Sequence, residues 1–433
     1  MKKIKLTLFG KIVFTLLFLF LIIILKSILL NKKDNITIIS DYNNLNNSTN
    51  EFIVNTSETD KEIINTFFAK GMNVDDFKKI YYQSSNYVDN SGNYKNIEYD
   101  FDNKLHYSEI EDMLYNLNNS DIVKLEIIGK SVDNRNIYGI EVGKGDKIIY
   151  IDANIHAAEI ANTLILMKYI IDIVNSYELN DLSIIDALNT YKIVAIPTMN
   201  PDGYEVYNFG VESLNNKNLW WYQNRNTYNF ENIKSNANGV DLNRNFPTQN
   251  AGLYYKEKSL INSVSLEKTT KSSTYFGGYT LGSEPETKAA MYFMLKHYKN
   301  TTLYINMHSQ GRVIYAGKPN LSDEFNKITK SFANNISSVS GYTVYGLNSE
   351  EVGEGNDGSV TDFMSELANG FKFSSITGRL TTNKYIDNSC KLVYSYPVIT
   401  METIKTYTTD PSIFKKEYYD IKIKEVLYSL IEE

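Results

Sequence analysis

The chain has 433 residues, of which 42% are hydrophobic and 22% charged, with a formal net charge of -7 and a pI near 5.4. This composition allows a sizeable core. The acidic balance without a basic stripe argues against nucleic acid as a partner, because phosphate binding needs clustered Lys and Arg. A single cysteine, Cys390, excludes a disulfide within the chain.

The N-terminal residues differ in composition from the rest. Residues 1–33 contain an uncharged apolar run at 12–25, flanked by lysines whose stems can snorkel and extend the usable length. No small-residue cleavage site follows, so we expect an uncleaved signal-anchor, with the rest of this single-pass protein outside the cell membrane. A cleaved signal peptide, followed by secretion, is the alternative. Residues 34–60 predict a flexible spacer, and residues 61–104 a helical lead-in.

Over residues 105–433, apolar strands alternate with amphipathic helices. Strands are expected at 122–128, 137–142, 147–151, 191–196, 302–307 and 398–402. Helices are expected at 108–117, 159–176, 284–299, 322–339 and 411–431. The alternation predicts one α/β domain, in which a mixed, largely parallel sheet carries helices on both faces.

Three predicted strands end in residues of the types that bind metal. His156 and Glu159 follow the strand at 147–151, His308 follows the strand at 302–307, and Glu402 ends the strand at 398–402. Open α/β sheets build their sites at such strand ends. Two imidazoles and one carboxylate suit one catalytic zinc ion that keeps a position for water. We therefore predict His156, Glu159 and His308 as zinc ligands and Glu402 as the general base.

Further motifs lie around these residues in a specific order. They are Thr-Met-Asn-Pro-Asp-Gly-Tyr at 198–204, Gly-Val-Asp-Leu-Asn-Arg-Asn-Phe-Pro at 239–247, Ser-Glu-Pro-Glu at 283–286, His-Ser-Gln-Gly at 308–311 and Thr-Met-Glu-Thr at 400–403. With them the chain resembles zinc metallocarboxypeptidases of the carboxypeptidase A type. It is most similar to bacterial members that cut γ-D-glutamyl-diamino-acid bonds of peptidoglycan peptides. The resemblance implies an eight-stranded mixed sheet and the same ligands and base.

The resemblance also implies residues that bind substrate. Asn243 and Arg244 match a pair that holds the substrate's terminal carboxylate, a task that suits the planar fork of a guanidinium. Arg225 matches, by spacing only, an arginine that polarises the scissile carbonyl and stabilises the oxyanion; a surface arginine is the other interpretation. Ala158 stands where the family usually has an arginine between two ligands, so one contact to an extended substrate is expected to be missing. The family's mobile tyrosine has no match, since Glu354 stands at the aligned position.

These residues predict a zinc-dependent peptidase that hydrolyses an amide next to a free carboxylate. The expected substrate is a cell-wall muropeptide, cut at its γ-D-glutamyl-diaminopimelate bond. A general metallocarboxypeptidase that removes basic C-terminal residues is the alternative, and an inactive peptide-binding module with the same fold is a second. The loop at 348–362 is either a solvated acidic loop or part of a pocket for an ammonium-bearing substrate end. Its acids are Glu350, Glu351, Glu354, Asp357 and Asp362.

Overall fold

The computed structural model describes residues 72–216, 219, 232–248, 251, 274–317, 321, 323–345, 358–369, 372–373, 380–381 and 396–420. The expected signal-anchor and spacer lie outside these residues, as do Arg225, Cys390 and four acids of the loop at 348–362, all but Asp362. Within the described ranges, no helix is both long enough and apolar enough to cross a bilayer.

An eight-stranded mixed sheet forms the centre of the fold, in the order β1-β2-β4-β3-β5-β10-β6-β7. The strands are β1 Val123–Lys130, β2 Asn136–Val142, β3 Lys147–Ala153, β4 Tyr191–Ile196, β5 Thr301–Ser309, β6 Val313–Ala316, β7 Thr343–Tyr345 and β10 Val398–Thr403. β4, β3, β5 and β10 pair in parallel, whereas β2 and β6 pair with this central group in an antiparallel sense. Strands β8 Lys372–Phe373 and β9 Leu380–Thr381 form a separate antiparallel pair.

The helices lie on both faces of this sheet. They are α1 Val74–Tyr81, α2 Tyr107–Leu117, α3 Ile160–Glu178, α4 Leu182–Thr190, α5 Pro201–Phe209, α6 Pro285–His297, α7 Asp323–Ser340, α8 Val360–Asn369 and α9 Pro411–Asp420. Alternate residues of a strand point to opposite faces. Accordingly, Ile151 of β3 belongs to the same apolar cluster as α3, while the neighbouring Tyr150 ring lies 6.0 Å from Phe293 of α6. The predicted two-sided packing is therefore confirmed.

A glycine allows α6 to approach the sheet closely. A Cβ atom on Gly139 of β2 would lie 2.5 Å from the ring of Phe293, which is closer than real atoms pack. Because glycine has no side chain, the ring rests directly on the backbone of the strand.

The predicted strands and the predicted helices both agree with the structure within two residues at each end that is described. The helix expected at 411–431 is described only as far as Asp420. α4, α5, α8, β6 and β7 were not predicted. In the Ser-Glu-Pro-Glu motif at 283–286, Glu284 is the N-cap of α6, and the helix begins at Pro285.

Two histidines outside the predicted metal site have structural positions, as their sequence context indicates. His106 is the N-cap of α2, and its ring stacks on Phe209 at 3.6 Å. His297 ends α6 and is buried against Phe293. Burial lowers the pKa of His297 to about 4. It is therefore neutral at pH 7.

Candidate active site

The predicted metal ligands meet at the carboxyl ends of two adjacent strands. β3 and β5 are parallel neighbours in which Ala153 pairs with Met307, so His308 lies level with the start of the turn that carries His156. Asn154 opens this turn with φ of 55°, and its side chain donates to the His156 carbonyl at 2.9 Å. Glu159 follows as the N-cap of α3. All three predicted ligands are buried, with at most 3% of each exposed.

The donor atoms of the three residues converge around the carboxylate of Glu159. Nδ1 of His156 lies 2.7 Å from Glu159 Oε1, and Nδ1 of His308 lies 2.9 Å from Oε2. One donor atom from each residue can be chosen so that all three lie within 4.8 Å of one another. Burial alone would raise the pKa of Glu159, but the two imidazoles outweigh it and hold that pKa well below its usual range. An ionised carboxylate between two imidazoles fits a zinc ion.

Asp241 supports the site from behind His156. Its Oδ1 lies 3.3 Å from Nε2 of His156, on the side of the ring away from Glu159. Asp241 is fully buried and accepts from the backbone N–H groups of Asn243 and Tyr275. A carboxylate at the second nitrogen of a ligand histidine fixes the orientation of the ring. From the sequence, Asp241 could equally have been an ordinary turn residue.

Glu402 lies beside the ligands. It is the register partner of His308 on the parallel strands β10 and β5. Its Oε2 atom is inaccessible to water and has no hydrogen-bond partner among the described residues. Burial, and then the neighbouring charge of Glu159, raise the pKa of Glu402 well above its ordinary value. Such a carboxyl can both take up and release a proton, as a general base must.

The two ligand histidines, His156 and His308, and Glu402 line a cleft that encloses about 660 Å³ of empty space, part of it open to solvent. Asn243 and Arg244 line the same cleft. The side-chain oxygen of Asn243 accepts from the Val360 N–H at 2.9 Å, and Arg244 donates to the Asn243 carbonyl at 2.8 Å. Both residues directly follow Asp241 in the sequence. One short segment therefore carries the carboxylate that contacts His156 and the two residues, Asn243 and Arg244, that line the cleft.

The lining of the cleft also includes residues with hydroxyl groups. The residues are Tyr315, Ser359, Thr361, Ser365 and Thr400. The hydroxyls of Thr361 and Thr400 lie 2.8 Å apart, which connects α8 to β10. Asp362 does not line the cleft, and the other acids of the loop at 348–362 lie outside the described residues.

A buried polar network holds the two strands that carry His308 and Glu402. Ser309 and Thr403, the next residue on each strand, place their hydroxyls 3.1 Å apart. Asn162 of α3 joins both, because it donates to Ser309 at 3.2 Å and accepts from Thr403. The network ties the helix that starts after Glu159 to the strands of His308 and Glu402, and so fixes the spacing between ligands and base.

Lys234, which lines the cleft, and Tyr275 beside it were not predicted from the sequence. The Lys234 ammonium and the Arg244 guanidinium lie 5.5 and 5.8 Å from the centre of the Tyr275 ring. No local motif marks either residue. The two nearest described tyrosines upstream of position 354 are both engaged: Tyr342 is hydrogen-bonded to Glu417, and Tyr345 stacks on Tyr315.

Comparison with known proteins places these residues in a family. A sequence model of the zinc carboxypeptidase family matches residues 110–396. The γ-D-glutamyl-L-diamino acid endopeptidase 1 of Lysinibacillus sphaericus is 32% identical over 244 residues, covering 53% of this chain and 57% of that protein. Carboxypeptidase O of Bos taurus is 24% identical over 265 residues, covering 59% of this chain and 64% of that protein. The chain thus spans less than two thirds of the length of either relative.

Solved structures are similar in fold. Carboxypeptidase A from Helicoverpa armigera matches with a TM-score of 0.54 and 18% identity, covering 79% of this chain and 77% of that one. Thrombin activatable fibrinolysis inhibitor matches with a TM-score of 0.55 and 17% identity, covering 77% and 76%. The family match spans more than half of the chain, and the His-Glu-His zinc motif is assembled in the structure. The chain therefore belongs to the zinc carboxypeptidase family.

Proposed function

We propose that this peptidase hydrolyses the amide bond between a γ-D-glutamyl residue and a diamino acid, such as diaminopimelate, in cell-wall muropeptides. The observation that carries the proposal is the cleft itself, which is lined by His156, His308, Glu402, the Asn243–Arg244 pair and several hydroxyl groups. The name of the Lysinibacillus sphaericus relative gives a γ-D-glutamyl-L-diamino acid bond as its target, which supports the same choice here.

Each group has a definite task in the proposed reaction. His156, Glu159 and His308 would hold the zinc ion, which would supply Lewis-acid chemistry for the scissile carbonyl and the attacking water. Glu402 takes a proton from the attacking water and delivers it to the leaving amine. Arg244 binds the carboxylate of the substrate end with a charge-assisted contact. Asn243 Oδ1 is occupied by the Val360 N–H, so its Nδ2 is the group that can donate to the same carboxylate. Arg225 is proposed to stabilise the developing oxyanion.

The hydroxyl-lined wall supports a polar substrate end. Ser365 and Thr400 present groups that both donate and accept hydrogen bonds. A diaminopimelate side chain ends in an ammonium and a carboxylate, and hydroxyls can bond both. An aromatic end offers these hydroxyls no hydrogen bond, which disfavours it in a polar pocket.

The experiment that tests the proposal compares kcat/KM of the zinc-loaded protein on three kinds of peptide substrate of equal length. These are a γ-D-glutamyl-diaminopimelate peptide, α-linked peptides ending in lysine or arginine, and an α-linked peptide ending in phenylalanine. We expect that order of preference. A preference for basic ends would indicate a general carboxypeptidase, and binding without turnover of any substrate would indicate an inactive binding module.

We also propose that residues 1–33 anchor the protein in the cell membrane, with the peptidase outside the cytoplasm. The support is the uncharged run at 12–25, with lysines on both sides and no cleavage site after it. The full-length protein should fractionate with membranes and keep its N-terminal residues. Recovery of a mature form that begins shortly after Leu30 would instead show a cleaved signal.

A further inference from the structure

Lys234 occupies a fixed position beside the metal ligands. The carbonyl of Ile233 accepts from the N–H of Ala158, which lies between His156 and Glu159, at 2.9 Å. The carbonyl of Ser235 accepts from the Asn200 side chain at 3.2 Å. Both flanking residues are fully buried. The backbone on each side of Lys234 is therefore bonded to the core around the metal site, and its side chain lines the cleft with His156, His308 and Glu402.

The ammonium of Lys234 lacks a carboxylate partner in the described part of the chain. It lies over the face of the Tyr275 ring, 5.5 Å from the ring centre, and no ion pair within the described ranges includes it. Its charge reaches the site, because burial raises the pKa of Glu402 and Lys234 opposes that rise. A half-buried ammonium on an aromatic face is well placed to receive an anion from a ligand.

Among the described residues, two cationic side chains, Lys234 and Arg244, line the cleft. Arg244 lies 5.8 Å from the centre of the same Tyr275 ring, so the ring is the common neighbour of both charges. In the proposed reaction Arg244 binds the carboxylate of the leaving diamino acid. Lys234 is joined through Ile233 to the segment of the metal ligands and lines the cleft with two of them, His156 and His308.

A γ-linked glutamyl residue carries a negative charge near the scissile amide that an ordinary α-linked residue lacks. Its side-chain carboxyl forms the scissile amide, so its α-carboxylate stays free three carbons from the carbonyl that is attacked. An α-linked peptide has no anion there unless its side chain supplies one. We propose that Lys234 binds the α-carboxylate of the γ-D-glutamyl residue and so distinguishes γ-glutamyl peptides from ordinary C-terminal ends. This inference rests on the proposed function.

The test uses two peptides that differ in one group. In the first, γ-D-glutamyl-diaminopimelate carries the free α-carboxylate; in the second, that carboxylate is a carboxamide. With zinc-loaded parent protein we expect kcat/KM to be about 10- to 100-fold higher for the carboxylate peptide, as the loss of a charged hydrogen bond would give. Lys234→Met should reduce this ratio to near one by slowing only the carboxylate peptide, and Lys234→Arg should keep most of it.

Controls separate this role from others. Lys330→Met removes an exposed lysine of α7, which does not line the cleft, and should leave both rates unchanged. Zinc content should be equal in all these proteins. In the inactive Glu402→Gln background, calorimetry should show that adding Lys234→Met weakens binding of the carboxylate peptide by a similar factor and leaves binding of the carboxamide peptide unchanged.

Each other outcome has a separate meaning. If the parent cleaves the γ-linked peptide but Lys234→Met slows both peptides equally, or neither, the inference is overturned while the proposed function stands. An equal loss would mean that Lys234 acts on a group common to both, such as the scissile carbonyl. If zinc-loaded parent cleaves α-linked peptides and not γ-linked ones, the proposed function fails, and the role of Lys234 fails with it.

Discussion

Glu402 and His308 are register partners on adjacent parallel strands, so the proposed base lies beside one of the zinc ligands. Both side chains line the cleft, yet Glu402 does not belong to the three-residue group whose donor atoms converge. Metal binding and proton transfer are therefore assigned to different residues.

The first prediction follows from that separation. His308→Ala should remove most of the bound zinc and all activity, because it deletes one of three ligands. Glu402→Gln should keep its zinc and lose roughly 10²- to 10⁴-fold in kcat, the usual contribution of a general base. Metal analysis and kcat of the purified proteins check this, and a Glu402→Gln protein without zinc would show that the roles are wrongly assigned.

A second prediction concerns Arg244 as the group that binds the substrate carboxylate. Changing Arg244 to Ala, or amidating that carboxylate, should each lower kcat/KM by roughly 10- to 100-fold, since each removes one side of the same charged contact. Applied together, the two changes should cost little more than either alone. Losses that multiply would mean that Arg244 and the carboxylate do not meet.

The third prediction addresses the network of Asn162, Ser309 and Thr403. Asn162→Ala removes both side-chain bonds of a fully buried residue and leaves two hydroxyls with fewer partners. We expect a loss of about 1–3 kcal/mol in the free energy of unfolding. Zinc should also bind more weakly, because the helix after Glu159 is no longer tied to the strand of His308.

Denaturant unfolding and zinc titration measure these two effects. Asn334→Ala, at an exposed position of α7, is the matched control and should change neither. Zinc affinity equal to the parent's in Asn162→Ala would contradict the positioning role, even if stability falls.

A fourth prediction is a pH effect from Asp152. This carboxyl lies in β3 with no exposed surface, and burial raises its pKa to about 7 even though Tyr304 and Asn306 both donate to it. The folded state therefore binds a proton that the unfolded chain releases near its ordinary pKa of about 3.9. The resulting stability is present below that lower pKa and is lost as pH rises through about 7.

Asp152→Asn cannot titrate, so its stability relative to the parent should rise between pH 5.5 and 8.5. Between pH 5.5 and the folded pKa of about 7, the parent loses about 1.36 kcal/mol of stability per pH unit, so the relative gain of Asp152→Asn is about 2 kcal/mol. Comparing the free energies of unfolding at the two pH values cancels titrations that both proteins share. A difference that does not change with pH would show that Asp152 has an ordinary pKa in the folded protein.

The sequence allowed the metal site and the sheet to be predicted because their signals are local. His156, Glu159, His308 and Glu402 each adjoin an apolar run, and strand ends converge once the strands pair. Lys234 and Tyr275 could not be found this way, since they come together only through the packing of loops that carry no periodic pattern. Asp241 is intermediate: its motif was seen, but its contact with His156 required the fold. The role of Arg225 stays a prediction.

The central claim is tested most directly by identifying the bond that is cut. Zinc-loaded protein is incubated with L-Ala-γ-D-Glu-diaminopimelate in ¹⁸O-labelled water, and the products are analysed by mass spectrometry, with Glu402→Gln as the control. The account predicts free diaminopimelate without label and L-Ala-D-Glu with one labelled oxygen, formed by the parent alone. Cleavage at the alanine bond instead, or no products from zinc-loaded protein that still cleaves α-linked peptides, would contradict it.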